Sequence, residues 1–251
     1  MLPGKRIRPL ITLLAIEAFG HSAMQFIQPA CAIELIHTYS LIHDDLPCMD
    51  DDDMRRGKPS LHLAFDEATA LLAGDLLLTH SFELISTAPN LDDRKKNMLI
   101  TALAQAAGGE GMIGGQMLDL LGSSHAYSNE YLIQLHTRKT GALLGYSFAA
   151  AGIISEYPHI EKLSRVGRTI GLAFQVIDDI LDQTKTSEEL GKPAGSDAKN
   201  QKLTILSNHT IEEAYAFADS LHNEAAAQLE DIFDDTSSLK PLFNFLLQRT
   251  Q

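Results

Sequence analysis

Apolar residues in this chain recur at helical spacing almost from end to end. No run shows the alternation that is typical of a strand, and breaks rich in glycine and proline separate the apolar stripes. The clearest stripe consists of Leu163, Val166, Ile170, Phe174, Ile177 and Leu181. We therefore predict an all-α fold, a single large helical bundle around a central cavity, in which residues 1–251 form one domain.

Two clusters of aspartate stand far apart in the sequence, and each borders an apolar helical run. Residues 44–53 contain six aspartates, and the second cluster comprises Asp178, Asp179 and Asp182. Helix capping or an acidic, solvated loop is the simplest explanation, but the first cluster is too dense for capping alone. Carboxylates at this density repel one another unless cations neutralise them, so magnesium ions and a bound polyanion are the expected partners.

The spacing predicts how the clusters are arranged. On an ideal helix Asp44 and Asp50 would point apart, but Pro47 removes a backbone donor between them. We expect the helix to break there and Asp50 to return beside Asp44. Three polar residues around the second cluster share one helical face: Gln175, Asp178 and Asp182. The two clusters would then face each other across the cavity.

Charge and cysteine content narrow the class of protein. Lys and Arg number 20 against 33 Asp and Glu, a net charge of −13, which argues against general nucleic-acid binding. Basic residues are nevertheless concentrated in residues 5–8 and 55–58, as expected where metals and phosphates share a pocket. Cys31 and Cys48 are the only cysteines and lack metal-type spacing, so a reducing cytoplasm is expected. The longest uncharged stretch, Thr140 to Ser155, is shorter than the roughly 20 residues of a membrane span, so it predicts a closely packed buried helix.

Several motifs along the chain form a specific series. They are Gly4-Lys5-Arg6-Ile7-Arg8-Pro9; His37 with Leu41-Ile42-His43-Asp44-Asp45 and Asp50-Asp51-Asp52-Asp53-Met54-Arg55-Arg56-Gly57; Gly114-Gly115-Gln116 with Asp119; Lys139-Thr140-Gly141; Phe174-Gln175-Val176-Ile177-Asp178-Asp179-Ile180-Leu181-Asp182; and Gly191-Lys192. Each motif alone is weak, but their order is specific. The chain resembles the trans-prenyltransferases, or isoprenyl diphosphate synthases, and most closely the bacterial farnesyl diphosphate synthase type.

The resemblance implies a magnesium-dependent, head-to-tail condensation of isopentenyl diphosphate with dimethylallyl or geranyl diphosphate. Five aspartates would hold the magnesium ions, three per site once diphosphate is bound: Asp44, Asp45, Asp50, Asp178 and Asp182. Three cations would contact the allylic diphosphate: Arg55, Lys139 and Lys192. Oxygens near the developing carbocation would come from Thr140 and Gln175. Within these sets, the residues expected to act in catalysis are Asp44, Asp50, Lys139, Thr140, Gln175 and Asp178.

The resemblance also implies a second diphosphate site and a limit on product length. The set expected to bind isopentenyl diphosphate is Lys5, Arg8, His37 and Arg56. Tyr39 lies five residues before Asp44, about a turn and a half deeper along the same helix. In the family, a large aromatic residue there and an insertion such as Pro47-Cys48 accompany a fifteen-carbon product. Farnesyl diphosphate is therefore expected, with geranylgeranyl or geranyl diphosphate as the alternative.

Supporting roles and departures complete the resemblance. His43 is expected to be structural, and Gln116 with Asp119 to form a polar network that supports the first aspartate helix. The family has a long helix before the Gly-Lys-Arg motif, whereas this chain opens almost on the motif, so we expect either that the start is misassigned or that the domain lacks that helix. Lys202 keeps only part of a family motif, so it receives no role. A homodimer through helices in the middle of the chain is also expected.

Three rival interpretations fit the same residues less well. A metal-dependent phosphohydrolase, suggested by His43-Asp44, would need further ligands that the other histidines do not supply. A terpene cyclase would share the ionisation chemistry but binds a single diphosphate and has no use for Lys5 and Arg8. A non-catalytic subunit of a heteromeric prenyl synthase would be expected to lose aspartate motifs, whereas both survive in this chain.

Overall fold

The computed structural model describes residues 4–122, 128–184 and 204–247, and its architecture is helical, as predicted. The helices are α1 (Ile7–Ala18), α2 (Ile27–Asp44), α3 (Leu61–Ala64), α4 (Glu67–Ser86), α5 (Asp93–Ala107), α6 (Met112–Gly122), α7 (Asn129–His136), α8 (Ala142–Ile154), α9 (Ile160–Thr184), α10 (Ile211–Ile232) and α11 (Leu239–Leu247). Short 3₁₀ turns cover Ala23–Phe26 and Ile205–Ser207, and a π-helical turn, Thr137–Gly141, joins α7 to α8.

The centre of the bundle is α8, whose residues are all buried, as predicted for the Gly/Ala-rich stretch. It packs against α1, α5 and α9. The contact with α9 is close because small residues meet there: a Cβ on Gly167 would lie 2.3 Å from the carbonyl oxygen of Leu144. Full burial of a side chain such as Phe148 contributes about 1.5–3 kcal/mol. This packing fixes α9, which carries the second aspartate cluster.

The first aspartate helix, α2, packs along α4. His43 lies in this contact: its Nε2 is 3.0 Å from the carbonyl oxygen of Leu71, and a Cβ on Gly74 would lie 2.0 Å from the same nitrogen. No side chain larger than glycine fits at position 74 without displacing the imidazole. His43 is thus a packing residue, as expected from the sequence.

A two-stranded hairpin is the departure from the all-α expectation. Strands β1 (Met54–Arg55) and β2 (Lys58–Pro59) pair antiparallel across the turn at Arg56 and Gly57. Both turn residues have positive φ, 54° and 73°, which suits a tight two-residue hairpin. The strands are too short for the alternation that would reveal them in the sequence.

Helix α4 is the one helix among residues 4–122, 128–184 and 204–247 that is long and apolar enough to cross a membrane, by length and composition alone. Several of its leucines are exposed, among them Leu72 and Leu76.

Candidate active site

The first aspartate cluster begins where α2 ends. The helix ends at Asp44, before Pro47, which cannot donate the next helical hydrogen bond. The chain then turns back, and the backbone N–H of Asp50 donates to the carbonyl oxygen of Asp44 at 2.9 Å. Asp51 has φ of 52° within this turn. The predicted return of Asp50 to Asp44 is confirmed.

Arg55 ties the hairpin to the end of α2. Its Nε donates to Asp45 Oδ1 at 2.8 Å, and its Nη2 donates to Asp45 and, at 2.8 Å, to Asp52. Burial raises the pKa of Asp45, against the opposing effect of the Arg55 guanidinium. Burial alone would lower the pKa of Arg55, but Asp45, Asp52 and Asp44 together raise it. Asp45 and Arg55 are thus partners in one partly buried ion pair, and their assignments to metal and to diphosphate stay predictions.

The second cluster lies on α9. The helix runs through Gln175, Asp178 and Asp182, so these residues share a face as predicted. Asp178 is half-buried and Asp182 is buried. Thr140 Oγ1 donates to Gln175 Oε1 at 3.1 Å, and Gln175 Nε2 donates to Asp179 Oδ1 at 3.1 Å. The predicted pair Thr140 and Gln175 is therefore in direct contact.

Lys139 and Thr140 belong to the π-helical turn Thr137–Gly141. Such turns are rare and frequently occur at functional sites. The Lys139 ammonium group bonds to the carboxylate of Asp119 on α6. Helix α6 can approach because Gly115 has no side chain: a Cβ there would lie 2.2 Å from the Lys139 backbone nitrogen. Asp119 therefore holds Lys139, and the expected support of the first aspartate helix by Gln116 and Asp119 stays a prediction.

A cavity of about 550 Å³ brings together the four residues predicted to bind isopentenyl diphosphate. Its lining includes Lys5, Arg8, His37 and Arg56. Its lining also includes the buried Glu34, and the cavity reaches Phe174 on α9. The pocket thus spans from α1 and α2 to the residue next to Gln175.

Desolvation shapes the charges in this pocket. Burial and the nearby Arg56 lower the pKa of Arg8 to about 10, although Glu34 opposes the shift. Arg8 is therefore still a cation at neutral pH, and its Nε is buried without a hydrogen-bond partner among the described residues. Burial and three arginines lower the pKa of His37 well below 6.5, so the imidazole is neutral at pH 7. An anion in the cavity would meet fixed cations and a neutral hydrogen-bonding ring.

The donor chemistry fits magnesium, although no three carboxylate, imidazole or thiol groups converge at metal distance within residues 4–122, 128–184 and 204–247. Magnesium prefers hard oxygen ligands and usually combines one or two carboxylates with substrate phosphates and water. Half-sites at Asp44, Asp50 and Asp178 meet that requirement without a preformed cage. Asp179 differs from these residues, because each of its oxygens accepts a hydrogen bond within the protein.

Some residues lie outside these groups. Lys192 and Lys202 fall outside the described residues, and the diphosphate contact of Lys192 stays a prediction.

Tyr39 is buried, and its ring meets His43 edge to face at 5.6 Å between centroids. Sequence reasoning gave no role to Glu34 or Asp179. A helical projection of the sequence could have set Asp179 apart, because consecutive residues on a helix point about 100° apart and Asp179 therefore lies off the face that carries Asp178.

A helical bundle with one aspartate cluster at the end of α2 and a second on α9 is typical of the isoprenyl diphosphate synthases. The Polyprenyl synthetase family matches residues 1–239, and the chain belongs to that family. It is 48% identical over 215 residues to the farnesyl diphosphate synthase of Bacillus subtilis (strain 168), a match that covers 84% of this chain and 73% of that protein. It is 42% identical over 254 residues to geranylgeranyl pyrophosphate synthase 7 of Arabidopsis thaliana, covering 98% and 73%.

Solved structures agree with this assignment. A geranyltransferase from Helicobacter pylori, complexed with magnesium and isoprenyl diphosphate, aligns with a TM-score of 0.85 at 36% identity over 99% of this chain and 84% of that one. A geranylgeranyl pyrophosphate synthetase from Pyrococcus horikoshii aligns with a TM-score of 0.88 at 32% identity over 98% and 86%.

Proposed function

We propose that this chain is a prenyltransferase that condenses isopentenyl diphosphate with dimethylallyl and then geranyl diphosphate to form farnesyl diphosphate. The observation that carries the proposal is that a carboxylate-rich cluster and a basic cavity both border α2. His37 in the basic cavity lies two turns, about 10 Å, before Asp44 on the same helix, and Phe174 in that cavity precedes Gln175 in the chain.

The carboxylate site would hold the allylic substrate. Asp44, Asp50 and Asp178 are the magnesium ligands in this proposal, assisted by Asp45 and Asp182. Bound magnesium, three ions per site, would neutralise charge on the leaving diphosphate. Lys139, fixed by Asp119, would contact the same diphosphate. Fixed cations favour the transition state because negative charge grows on the leaving group as the carbon–oxygen bond breaks.

The proposed reaction needs no protein nucleophile. The C1–O bond of the allylic substrate breaks and its electron pair leaves with the diphosphate, so C1 becomes cationic. The double bond of isopentenyl diphosphate, held by Lys5, Arg8, His37 and Arg56, supplies two electrons to form the new carbon–carbon bond. The cation that results loses a proton from the adjacent carbon to the departed diphosphate, and those electrons form the new double bond. The oxygens of Thr140 and Gln175 would stabilise the cation.

We further propose that the active form is a homodimer. Two helices in the middle of the chain expose large apolar side chains: Leu71, Leu72 and Leu76 on α4, and Ile113, Met117, Leu120 and Leu121 on α6. Exposed apolar surface of this extent commonly marks an interface. Changing Leu72 and Leu76 to glutamate is expected to give a monomer in light scattering, whereas an unchanged mass would place the interface elsewhere.

A cytoplasmic location completes the proposal. Cys31 is half-buried, Cys48 is exposed, and both are free thiols. Unpaired, accessible thiols suit a reducing compartment.

The direct test is incubation of the purified protein with isopentenyl diphosphate, geranyl diphosphate and magnesium, followed by chromatography of the prenyl product. Farnesyl diphosphate is expected, and none should form when a chelator removes magnesium. A predominantly twenty-carbon product would favour the geranylgeranyl alternative. A protein that binds substrates but forms no product would favour the non-catalytic subunit.

A further inference from the structure

Asp179 is a buried carboxylate to which the chemistry above gives no role. It is 3% exposed and points into the protein, although its neighbour Asp178 belongs to the cluster face. Three segments meet it there. Gln175 Nε2 donates to Oδ1 at 3.1 Å, and the backbone N–H of Ile205 donates to Oδ2 at 2.8 Å. His136 Nε2 lies 3.4 Å from Oδ2.

The carboxylate fixes the direction of the hydrogen bonds around it. A carboxylate only accepts, so Gln175 and Ile205, which bond to it, each present a hydrogen to Asp179. Gln175 therefore turns its NH₂ group toward Asp179 and its carbonyl oxygen toward Thr140. Thr140 then has to donate its single hydroxyl hydrogen to that oxygen, at 3.1 Å. The remaining lone pairs of the Thr140 hydroxyl are available to a group outside the chain.

We propose that Asp179 is a positioning residue that sets the donor-to-acceptor direction of the hydrogen bonds linking Asp179, Gln175 and Thr140. In this direction the Thr140 oxygen turns its lone pairs, and not its hydrogen, toward the carbon that becomes cationic. This inference rests on the proposed prenyl transfer. If these hydrogen bonds ran in the opposite direction, the Thr140 hydroxyl hydrogen would point outward, toward the positive charge. The polarity matters in the ionisation step, where cationic charge develops, and much less in binding of the neutral allyl group.

Asp179→Asn is the substitution that separates polarity from packing, because it conserves shape. With its oxygen toward Ile205 and His136, the new amide must present its NH₂ group to Gln175. Gln175 then rotates, and Thr140 becomes the acceptor. We expect kcat to fall roughly tenfold or more, since an effect of about 1.4 kcal/mol on the transition state is tenfold in rate. The KM values of both substrates should stay within about twofold.

A second substitution restores the polarity. In Asp179→Asn combined with Gln175→Glu, the carboxylate at position 175 accepts from both the new amide and Thr140. We expect this double variant to recover most of the lost kcat. Gln175→Glu alone faces Asp179 with a second carboxylate, so it should be slower than the double variant. A residue that serves only folding would show no such rescue.

The melting temperatures of all three variants are measured together with their kcat and KM values. An Asp179→Asn variant with wild-type kcat overturns the inference, and so does a double variant no faster than Asp179→Asn. A fall in melting temperature with unchanged kcat likewise reduces Asp179 to a structural residue. These outcomes are distinct from failure of the proposed function, in which the wild-type protein itself forms no prenyl product.

Discussion

Tyr39→Ala is expected to lengthen the product from farnesyl to geranylgeranyl diphosphate. Each further isoprene unit adds five carbons, and their burial would be favourable by about 0.8 kcal/mol each, or about 4 kcal/mol in total. A hydrophobic cavity therefore cannot stop growth by affinity, so a steric barrier is required. Tyr39 is 5% exposed and lies about 7.5 Å along the α2 axis from Asp44.

The surroundings of Tyr39 make it a rigid barrier. Its ring packs against His43, which is held between the Leu71 carbonyl oxygen and Gly74. Burial and the nearby Asp44 raise the pKa of the Tyr39 phenol, which therefore stays neutral. Truncation to alanine should lower the free energy of unfolding by about 3–5 kcal/mol, as for other large aromatic residues. Part of that loss should be recovered when a longer chain fills the space.

The assay is product chromatography with excess isopentenyl diphosphate, with two controls. Tyr39→Phe removes only a hydroxyl that has no partner among the described residues, so it should keep the fifteen-carbon product. Tyr146→Ala truncates an equally buried tyrosine, 3% exposed, which lines a different cavity between α5, α8 and α9. It should lose stability without changing product length. If Tyr39→Ala still stops at fifteen carbons, or if Tyr146→Ala also lengthens the product, Tyr39 is not the steric barrier.

Three further predictions concern the charged groups. Asp44→Asn should lower turnover by several orders of magnitude at saturating magnesium. Asp53→Asn, which changes an exposed aspartate nearby, should leave turnover near normal. Equal turnover in the two variants would contradict the metal assignment. Arg8→Ala should raise the KM for isopentenyl diphosphate far more than the KM for geranyl diphosphate, and Lys139→Ala should do the reverse. Steady-state kinetics with each substrate varied measures both KM values, and equal effects on the two would mean that these residues are assigned to the wrong diphosphate sites. The pKa of His37 is lowered on folding, so the unfolded chain binds more protons below pH 6.5 and stability should fall as the pH drops through that value, by at most about 1.4 kcal/mol per pH unit. Urea unfolding at several pH values should show a weaker loss in His37→Gln, and an identical loss would mean that His37 is not the group responsible.

The sequence predicted much of the framework because the relevant signals are local. Helical periodicity gave the bundle, and Pro47 gave both the end of α2 and the return of Asp50 to Asp44. The shared face of Gln175 and Asp178 followed from spacing alone. The gathering of Lys5 and the other basic residues in one cavity did not follow from spacing, because they are separated by tens of residues. It was expected from the family resemblance.

Tertiary structure decided which partner each charged group has. Asp45 and Arg55 are both predicted ligands in the sequence, yet they bond to each other because the fold brings Arg55 on the hairpin to Asp45 at the end of α2. Lys139 meets Asp119 because Gly115 lets two segments approach. A sequence contains donors and acceptors without saying which are buried together, and a buried charge takes whichever partner the fold brings within reach. The amino-acid sequence alone therefore determined the helices and the divergence of Asp178 and Asp179 on α9, while only the fold brought Ile205 and His136 to the Asp179 carboxylate.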